Sequence, residues 1–198
     1  MEIDLEGLTP PVRLALAYTP KSVRASFAIL LRLDARFAQI ASNAKEPLIG
    51  QMKLAWWRDA IIGSSPARPK GEPLLNSLFE ADNSILNDAG AALADAWEIL
   101  ITHDDWPAAI VGGFAKARGH AVFQGYADLS GLRDFPAELA GQWAADDLRL
   151  RFGEHVSGTP RPAFALPKER MFRPLTILAM SVRDDSGPRL IWHALTGR

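Results

Sequence analysis

The feature that most constrains the fold is an apolar stretch over residues 48–62 that contains two adjacent tryptophans. At the helical spacing of about 100° per residue, its apolar side chains fall into two neighbouring stripes. The first stripe contains Ile49, Met52, Trp56 and Ala60, and the second contains Leu54, Trp57 and Ile61. Only a narrow sector around Gln51 and Arg58 is polar. A helix of this kind is normally buried among other helices, so the sequence predicts a central helix of a helical domain.

Helical periodicity continues along almost the whole chain. Over residues 21–42, apolar residues return at intervals of three and four, which is typical of an amphipathic helix. Further helices are predicted over residues 73–81, 86–102, 106–129, 137–151, 168–182 and 188–195. No stretch of useful length alternates with the period of two that indicates a strand. The sequence therefore predicts an all-α fold in a single domain, residues 1–198, with an exposed loop over residues 63–73.

Two local patterns refine this prediction. The helix over residues 106–129 contains Gly112, Gly113, Gly119 and Gly125, which are expected to allow close contact with neighbouring helices. The helix over residues 168–182 contains Pro174, which either kinks the helix or starts it.

Composition and charge exclude several classes of function. The chain has 198 residues, 48% of them hydrophobic, which suits one globular core. A net charge of −1 gives no surface suited to nucleic-acid phosphates. The absence of cysteine excludes disulfides, thiolate zinc sites, iron–sulfur clusters and a cysteine nucleophile. The four histidines have no metal-site spacing.

The sequence also bears on location. Its N-terminal residues are acidic and lack the basic flank and apolar run of a secretory signal. No window approaches the roughly 18 consecutive apolar residues that indicate a spanning helix. We therefore expect a cytoplasmic protein with at most peripheral membrane contact.

Asp34 is an acidic residue within an apolar stripe of the helix over residues 21–42. The stripe contains Phe27, Leu30, Leu31, Phe37, Ala38 and Ala41. Because an isolated buried carboxylate is too costly, Asp34 must be paired, hydrogen-bonded, bound to a cation or next to a wet cavity. Two interpretations stay open: a buried partner for an arginine or an indole N–H, or a cation or diphosphate site between helices. Asp146 and Asp147 raise the same question, because one of them must face the core near Trp143.

Segments of the chain resemble the squalene/phytoene synthase family. Residues 49–60, which read IGQMKLAWWRDA, resemble the segment that follows the family's first aspartate-rich helix. Residues 18–24 and 30–38, which include Asp34, are similar to that helix itself. Residues 141–149 resemble the second aspartate-rich helix, and residues 161–167 resemble the Arg-x-x-x-Leu-Pro stretch that follows it. The resemblance covers most of the chain in order.

The resemblance implies an isoprenoid-synthase-like fold with antiparallel helices around a central cavity. In that fold, two facing helices each present Asp-x-x-x-Asp to magnesium ions that hold prenyl diphosphates and help the leaving group to ionise. The implied residues of the cavity are Asp34, Trp56, Arg58, Asp146, Asp147 and Arg161. Asp34 and Asp146 are the implied metal ligands if the protein is an active enzyme.

Both aspartate-rich motifs depart from the family pattern. The positions four residues after Asp34, Asp146 and Asp147 are occupied by Ala38, Leu150 and Arg151. Each helix therefore keeps at most one of the carboxylates that the reaction needs, and one or two acids hold hydrated magnesium only weakly. We expect no cofactor and no head-to-head prenyl condensation. In this respect the chain resembles the branch of the family that is similar to the mitochondrial assembly factor for respiratory complex I.

Two functions from different classes follow. The first is a non-catalytic relative that binds an isoprenoid, another lipid or a protein partner. The second is an active magnesium-dependent prenyl-diphosphate transferase whose further ligands come from acids such as Asp59, Asp95 or Asp128. The enzyme hypothesis requires at least three carboxylates from two helices around one cavity. An arginine paired with Asp34 in a closed core would argue against it.

The arginines of the C-terminal half offer another route to diphosphate binding. These are Arg149, Arg151, Arg161, Arg170 and Arg173. Guanidinium groups bind phosphate oxygens in pairs, so these side chains could clamp a diphosphate without magnesium. The alternative is that they are solvated or paired with neighbouring acids.

Overall fold

The computed structural model describes residues 5, 7–63, 69, 71–103, 105–153, 156, 166–183 and 187–197. Over these ranges the chain forms helices and no strand, which confirms the all-α prediction. The helices are α1 (Pro10–Tyr18), α2 (Lys21–Asn43), α3 (Pro47–Ile62), α4 (Pro73–Ala81), α5 (Ser84–Ile101), α6 (Ala108–Leu129), α7 (Ala137–Phe152), α8 (Arg173–Ser181) and α9 (Gly187–Thr196). No helix within these ranges is both long and apolar enough to cross a lipid bilayer.

Prolines set several of the helix starts. Pro47, Pro73 and Pro174 lie in the first two positions of α3, α4 and α8. Proline suits these positions because its φ is already helical and its missing N–H would have no partner there. Pro174 therefore starts a helix rather than kinking one, and a short 3-10 turn over Arg170–Phe172 precedes it.

The predicted loop over residues 63–73 falls between α3 and α4. Gly63, Gly71 and Glu72 are outside any helix, and residues 64–68 and 70 lie outside the described ranges. Gly71 has a positive φ of 95°, which side chains other than glycine rarely adopt. Pro73, the last residue of the predicted loop, is already the first residue of α4.

Helix α5 organises the packing of the bundle. It contacts α2, α3 and α6, and α6 in turn contacts α2 and α7. Helix α8 packs against α1, α7 and α9. The largest fully buried side chains include Phe27, Phe37, Trp97, Phe114, Phe123 and Tyr126. The predicted central cavity is not confirmed, and the described residues between the helices include these buried side chains.

Two of the four glycines in α6 permit close helix contact. A Cβ built on Gly119 would overlap the carbonyl oxygen of Ala140 in α7, and one on Gly125 would press on side chains of α2 and α5. At Gly112 and Gly113, no atom of the described residues lies within 4 Å of such a Cβ. The prediction is thus confirmed for Gly119 and Gly125 only, since the other two lie on the exposed start of the helix.

Helix α3 is buried along one of its two apolar stripes. Leu54, Trp57 and Ile61 are buried. By contrast, Leu48, Ile49, Met52, Trp56 and Ile62 are between 45% and 66% exposed. The prediction that α3 is buried around most of its circumference is wrong, because α2, α4 and α5 cover only one side of it.

Candidate functional site

An ion pair between α2 and α6 forms the centre of the candidate site. Nε of Arg118 donates to Oδ1 of Asp34 at 2.8 Å, and Nη2 donates to Oδ2 at 2.7 Å. The indole N–H of Trp97 donates to Oδ1 of Asp34 at 2.9 Å. The Arg118 and Asp34 side chains are only 1% and 6% exposed. Asp34 therefore has both partners of its structural interpretation, an arginine and an indole N–H.

The same guanidinium also contacts α7. Nη2 of Arg118 lies 2.7 Å from Oδ2 of Asp147, and Nε of Arg151 donates to that oxygen at 2.8 Å. Asp34, Arg118, Asp147 and Arg151 thus form a chain of alternating charges, which we call the Arg118 cluster. Its formal charges sum to zero. The cluster joins the two helices that were expected to carry the metal-binding acids.

Aromatic rings surround the Arg118 guanidinium. Its Cζ lies 4.3 Å from the ring centroid of Trp143 and 5.1 Å from that of Trp97. Phe114, one turn earlier on α6, has its centroid 5.8 Å away. The negative faces of aromatic rings attract a guanidinium, and the attraction is larger in a desolvated site. The rings therefore help to hold a buried cation in place.

Ion pairing keeps both Arg118 and Asp147 charged although both side chains are buried. Burial by itself would lower the pKa of Arg118, but Asp34 and Asp147 outweigh it and raise this pKa above its ordinary value. Burial would likewise raise the pKa of Asp147. The positive charges of Arg118 and Arg151 instead hold the Asp147 pKa below its ordinary value. Both groups are therefore charged at neutral pH.

Asp146 is also buried, but it has different partners. Nη1 of Arg149 donates to its Oδ1 at 2.6 Å, and Nε of Arg183 donates to its Oδ2 at 2.5 Å. Arg183 follows α8, so this contact ties α7 to the end of α8. The structure thus brings Asp34 together with Asp147, whereas Asp146 serves a second, separate ion-pair group.

A cleft of about 400 Å³ lies beside the Arg118 cluster. Asp34 and Asp147 both line it, together with Trp143 and apolar residues from α1 and α8. Both of these carboxylates are already bonded to Arg118. Within the described part of the chain, no group of three or more acidic or histidine side chains is placed to hold a metal ion. Among the described residues that line this cleft, two are carboxylates, whereas the enzyme hypothesis requires three.

The acids named as further ligands lie elsewhere. Asp59 and Asp95 flank Arg58 on the surface, at 3.9 and 2.8 Å from its guanidinium nitrogens. Asp128 is exposed and accepts a hydrogen bond from Gln124 at 2.6 Å. None of the three lines the cleft beside Asp34.

Trp56 and Arg58 do not join Asp34 in one cavity. Trp56 lines a separate groove between α2 and α3. Arg58 donates to Asp95 at 2.8 Å and to Glu98 at 3.3 Å on the surface of α5, and the bond to Asp95 raises its pKa. Arg161 lies outside the described residues.

The C-terminal arginines mostly have partners of their own. Arg149 and Arg151 pair with the aspartates one turn earlier on α7. Arg173 donates to the backbone carbonyl of His193 at 2.7 Å. Arg170 is exposed on the 3-10 turn. For Arg149 and Arg151 the geometry matches pairing with neighbouring acids.

Arg118 is the site residue that sequence reasoning did not single out. It shares one face of α6 with Phe114 and Val122, four residues away on either side, and all three are buried. A basic residue within an apolar stripe was the available signal, since such a residue needs a buried acid. Spacing along α6 does not say which acid, because Asp34 is 84 residues away.

Comparisons of the chain with protein families, with curated proteins and with solved structures find no match. The squalene/phytoene synthase family enters only through the sequence resemblance of residues 18–24, 30–38, 49–60, 141–149 and 161–167.

Proposed function

We propose that this protein is a squalene/phytoene synthase-like protein with an isoprenoid-synthase-like fold that binds a ligand and does not catalyse head-to-head prenyl condensation. The observation that carries this proposal is the position of the Arg118 guanidinium between Asp34 and Asp147. In the active enzyme that the family resemblance implies, acids on two facing helices hold magnesium ions. Here a permanent cation that belongs to the chain lies between the two acids, so we expect no magnesium cofactor.

Magnesium would have to compete with this cation at a high cost. Magnesium requires several oxygen ligands in near-octahedral geometry. Both oxygens of Asp34 already accept hydrogen bonds, from Arg118 and from Trp97. Freeing them would break the buried ion pair with Arg118 and leave the guanidinium with Asp147 alone, and breaking a buried pair costs about 3–5 kcal/mol. Arginine also keeps its charge throughout the physiological pH range, because its pKa is far above it.

The proposed ligand is an isoprenoid or another lipid, with a protein partner as the second candidate. The exposed apolar side chains of α3 support a binding role, since contiguous exposed apolar surface marks interaction sites. A cytoplasmic location, with at most peripheral membrane contact and no nucleic-acid partner, belongs to the same proposal.

The alternative is an active magnesium-dependent prenyl-diphosphate transferase. One observation favours it: Asp34 and Asp147 come from two different helices and line the same cleft. This arrangement is the one that facing acidic helices of such an enzyme would produce. The alternative still needs a third carboxylate and the displacement of Arg118 from both acids.

The test is incubation of the purified protein with farnesyl or geranylgeranyl diphosphate and magnesium, measured as diphosphate release. We expect no release above that of a protein-free control. Turnover by the wild-type protein that disappears in Asp34→Asn, with the helical circular dichroism spectrum retained, would overturn the proposal in favour of the enzyme.

A further inference from the structure

A groove of about 520 Å³ runs between α2 and α3, apart from the Arg118 cluster. Its size lies within the usual range of small-molecule sites, which is roughly 300–1,000 Å³. Its apolar lining consists of Ile40, Ile49, Met52, Trp56 and Trp57, and its polar lining of Arg36, Gln39, Asn43, Lys53 and Glu72. The groove therefore combines an apolar wall with a polar rim.

The apolar wall is exposed but held in a defined shape. Met52 and Trp56, one turn apart on α3, are 64% and 45% exposed. The Trp56 ring packs edge-on against Trp57 at a centroid distance of 5.6 Å, and Trp57 packs edge-on against the buried Phe37 at the same distance. A group of edge-to-face aromatic rings, anchored in the core by Phe37, thus supports the exposed indole. Rigid aromatic surface of this kind lowers the entropy cost of binding.

The rim of the groove carries positive charge. Arg36 and Lys53 are both exposed, and within the described part of the chain neither forms an ion pair. An adjoining cleft shares Arg36, Gln39 and Glu72 with the groove. Within the groove itself, the described lining residues include two basic side chains, Arg36 and Lys53, and one acid, Glu72. Their surplus positive charge is complementary to an anionic group.

We propose that this groove binds one molecule of a single-chain lipid with an anionic headgroup. The hydrocarbon chain lies along Met52 and Trp56, and the headgroup lies at Arg36 and Lys53. An apolar wall alone would suit a second copy of the chain equally well. The two cations beside that wall favour an amphiphile with a negative head, because charge complementarity gives specificity where apolar contact does not.

This inference deepens the proposed binding function and rests on it. Its site contains none of the residues of the Arg118 cluster. A failure of lipid binding therefore leaves the result of the diphosphate-release assay unchanged. Conversely, turnover in the diphosphate-release assay would not contradict lipid binding in the groove. The two proposals can fail separately.

The test uses dodecyl phosphate below its critical micelle concentration, followed by tryptophan fluorescence and by titration calorimetry. We expect saturable binding of one molecule per chain, with a change in emission that is lost in Trp56→Phe. Inorganic phosphate tests the headgroup alone and should produce no signal at millimolar concentration. Dodecyl maltoside, with the same chain and a neutral head, should bind about tenfold more weakly or worse.

Three exposed positions provide matched variants. Met52→Glu places a carboxylate in the apolar wall and Lys53→Glu reverses a charge on the rim, and each should weaken binding about tenfold or more. Leu195→Glu alters a residue of α9 that is 69% exposed and lines neither cleft, so it should bind as the wild type does. All three positions are exposed, and unchanged melting temperatures would confirm that the variants fold.

Several results would overturn the proposal. These are the absence of saturable binding, equal binding of dodecyl maltoside, or equal losses in Met52→Glu and Leu195→Glu. A dimer in analytical ultracentrifugation that Met52→Glu dissociates would assign the groove to a second copy of the chain. Binding to phosphatidylglycerol vesicles without binding of monomeric dodecyl phosphate would assign it to a membrane surface.

Discussion

Arg118 and Asp34 lie 84 residues apart in the sequence and form a two-pronged ion pair in the core, with both nitrogen–oxygen distances below 3 Å. This pair and its extension to Asp147 distinguish the site from a magnesium centre of two acidic helices. A buried ion pair is weak evidence for stability, because the cost of removing both charges from water offsets their attraction. Its integrity is nevertheless important, since removal of Arg118 would leave Asp34 as a buried charge without its cation, and removal of Asp34 would leave Arg118 with Asp147 as its remaining acid.

Replacement of Arg118 by methionine should therefore be strongly destabilising. Arg118→Met keeps much of the side-chain volume but leaves Asp34 and Asp147 buried without their shared cation. We expect a loss of about 3–5 kcal/mol in the free energy of unfolding. Urea denaturation at pH 7 would measure it.

Arg58 provides the matched control for this prediction. Its side chain is 34% exposed and pairs with Asp95 and Glu98 at the surface. Because water screens such pairs, Arg58→Met should cost about 1 kcal/mol or less. Equal losses of stability in the two variants would contradict the burial and ion pairing of the Arg118 cluster.

Stability should fall in acid partly because of Asp147. The pKa of its carboxyl is lower in the folded protein than in the unfolded chain, so the unfolded state takes up the proton first as the pH falls. The contribution of Asp147 is fully present above the unfolded pKa of about 4 and disappears as the pH falls through the lower folded value.

The variant Asp147→Asn isolates this contribution. Urea denaturation of both proteins at several pH values between 7 and 2 should show the wild type to be the more stable at neutral pH. This difference in the free energy of unfolding should be constant above about pH 5 and shrink below about pH 4. A difference that stays constant over the whole range would contradict the lowered pKa.

Gly119 should not tolerate a side chain. A Cβ at this position meets the α7 backbone at Ala140, which is not free to move aside. Gly119→Ala should therefore cost on the order of 1–3 kcal/mol, despite the better helix propensity of alanine. Thermal unfolding followed by circular dichroism would measure the change.

Gly112 is the control on the same helix. Within the described part of the chain nothing lies within 4 Å of a Cβ there, and the position is exposed. Gly112→Ala should stabilise the protein by about 0.5–1 kcal/mol through helix propensity alone. Changes of the same sign in both variants would contradict the close approach of α6 and α7.

The two adjacent tryptophans should differ in their contributions to stability. Trp57 is buried and packs against Phe37, so Trp57→Ala should cost roughly 3–5 kcal/mol. Trp56 is half-exposed in the groove, and Trp56→Ala should cost about 1 kcal/mol or less. Chemical denaturation of both variants would test this. A larger loss of stability for Trp56→Ala would contradict the burial of the Trp57 stripe of α3 in the core.

The sequence by itself determined most of the helices, although not the start of α8 at Arg173, and it determined the need of Asp34 for a partner. Periodicity is a local property, and it located α2 and α3 to within one residue at each end, as the spans Lys21–Asn43 and Pro47–Ile62 show. Burying an unpaired charge is unfavourable in every fold. An acid in an apolar stripe therefore implies a cation or a hydrogen-bond donor opposite it. Both conclusions depend only on residues close together in the chain.

Only the tertiary structure decided which cation Asp34 meets and which side of α3 remains exposed. Arg118 reaches Asp34 because close packing at Gly119 and Gly125 brings α6 against α7 and α2, and no spacing within one helix contains that information. Likewise, periodicity showed that both stripes of α3 are apolar, but its neighbouring helices cover the Trp57 stripe and leave Ile49, Met52 and Trp56 of the other stripe exposed. The physical reason is the same in both cases: burial depends on what the rest of the chain places opposite a residue.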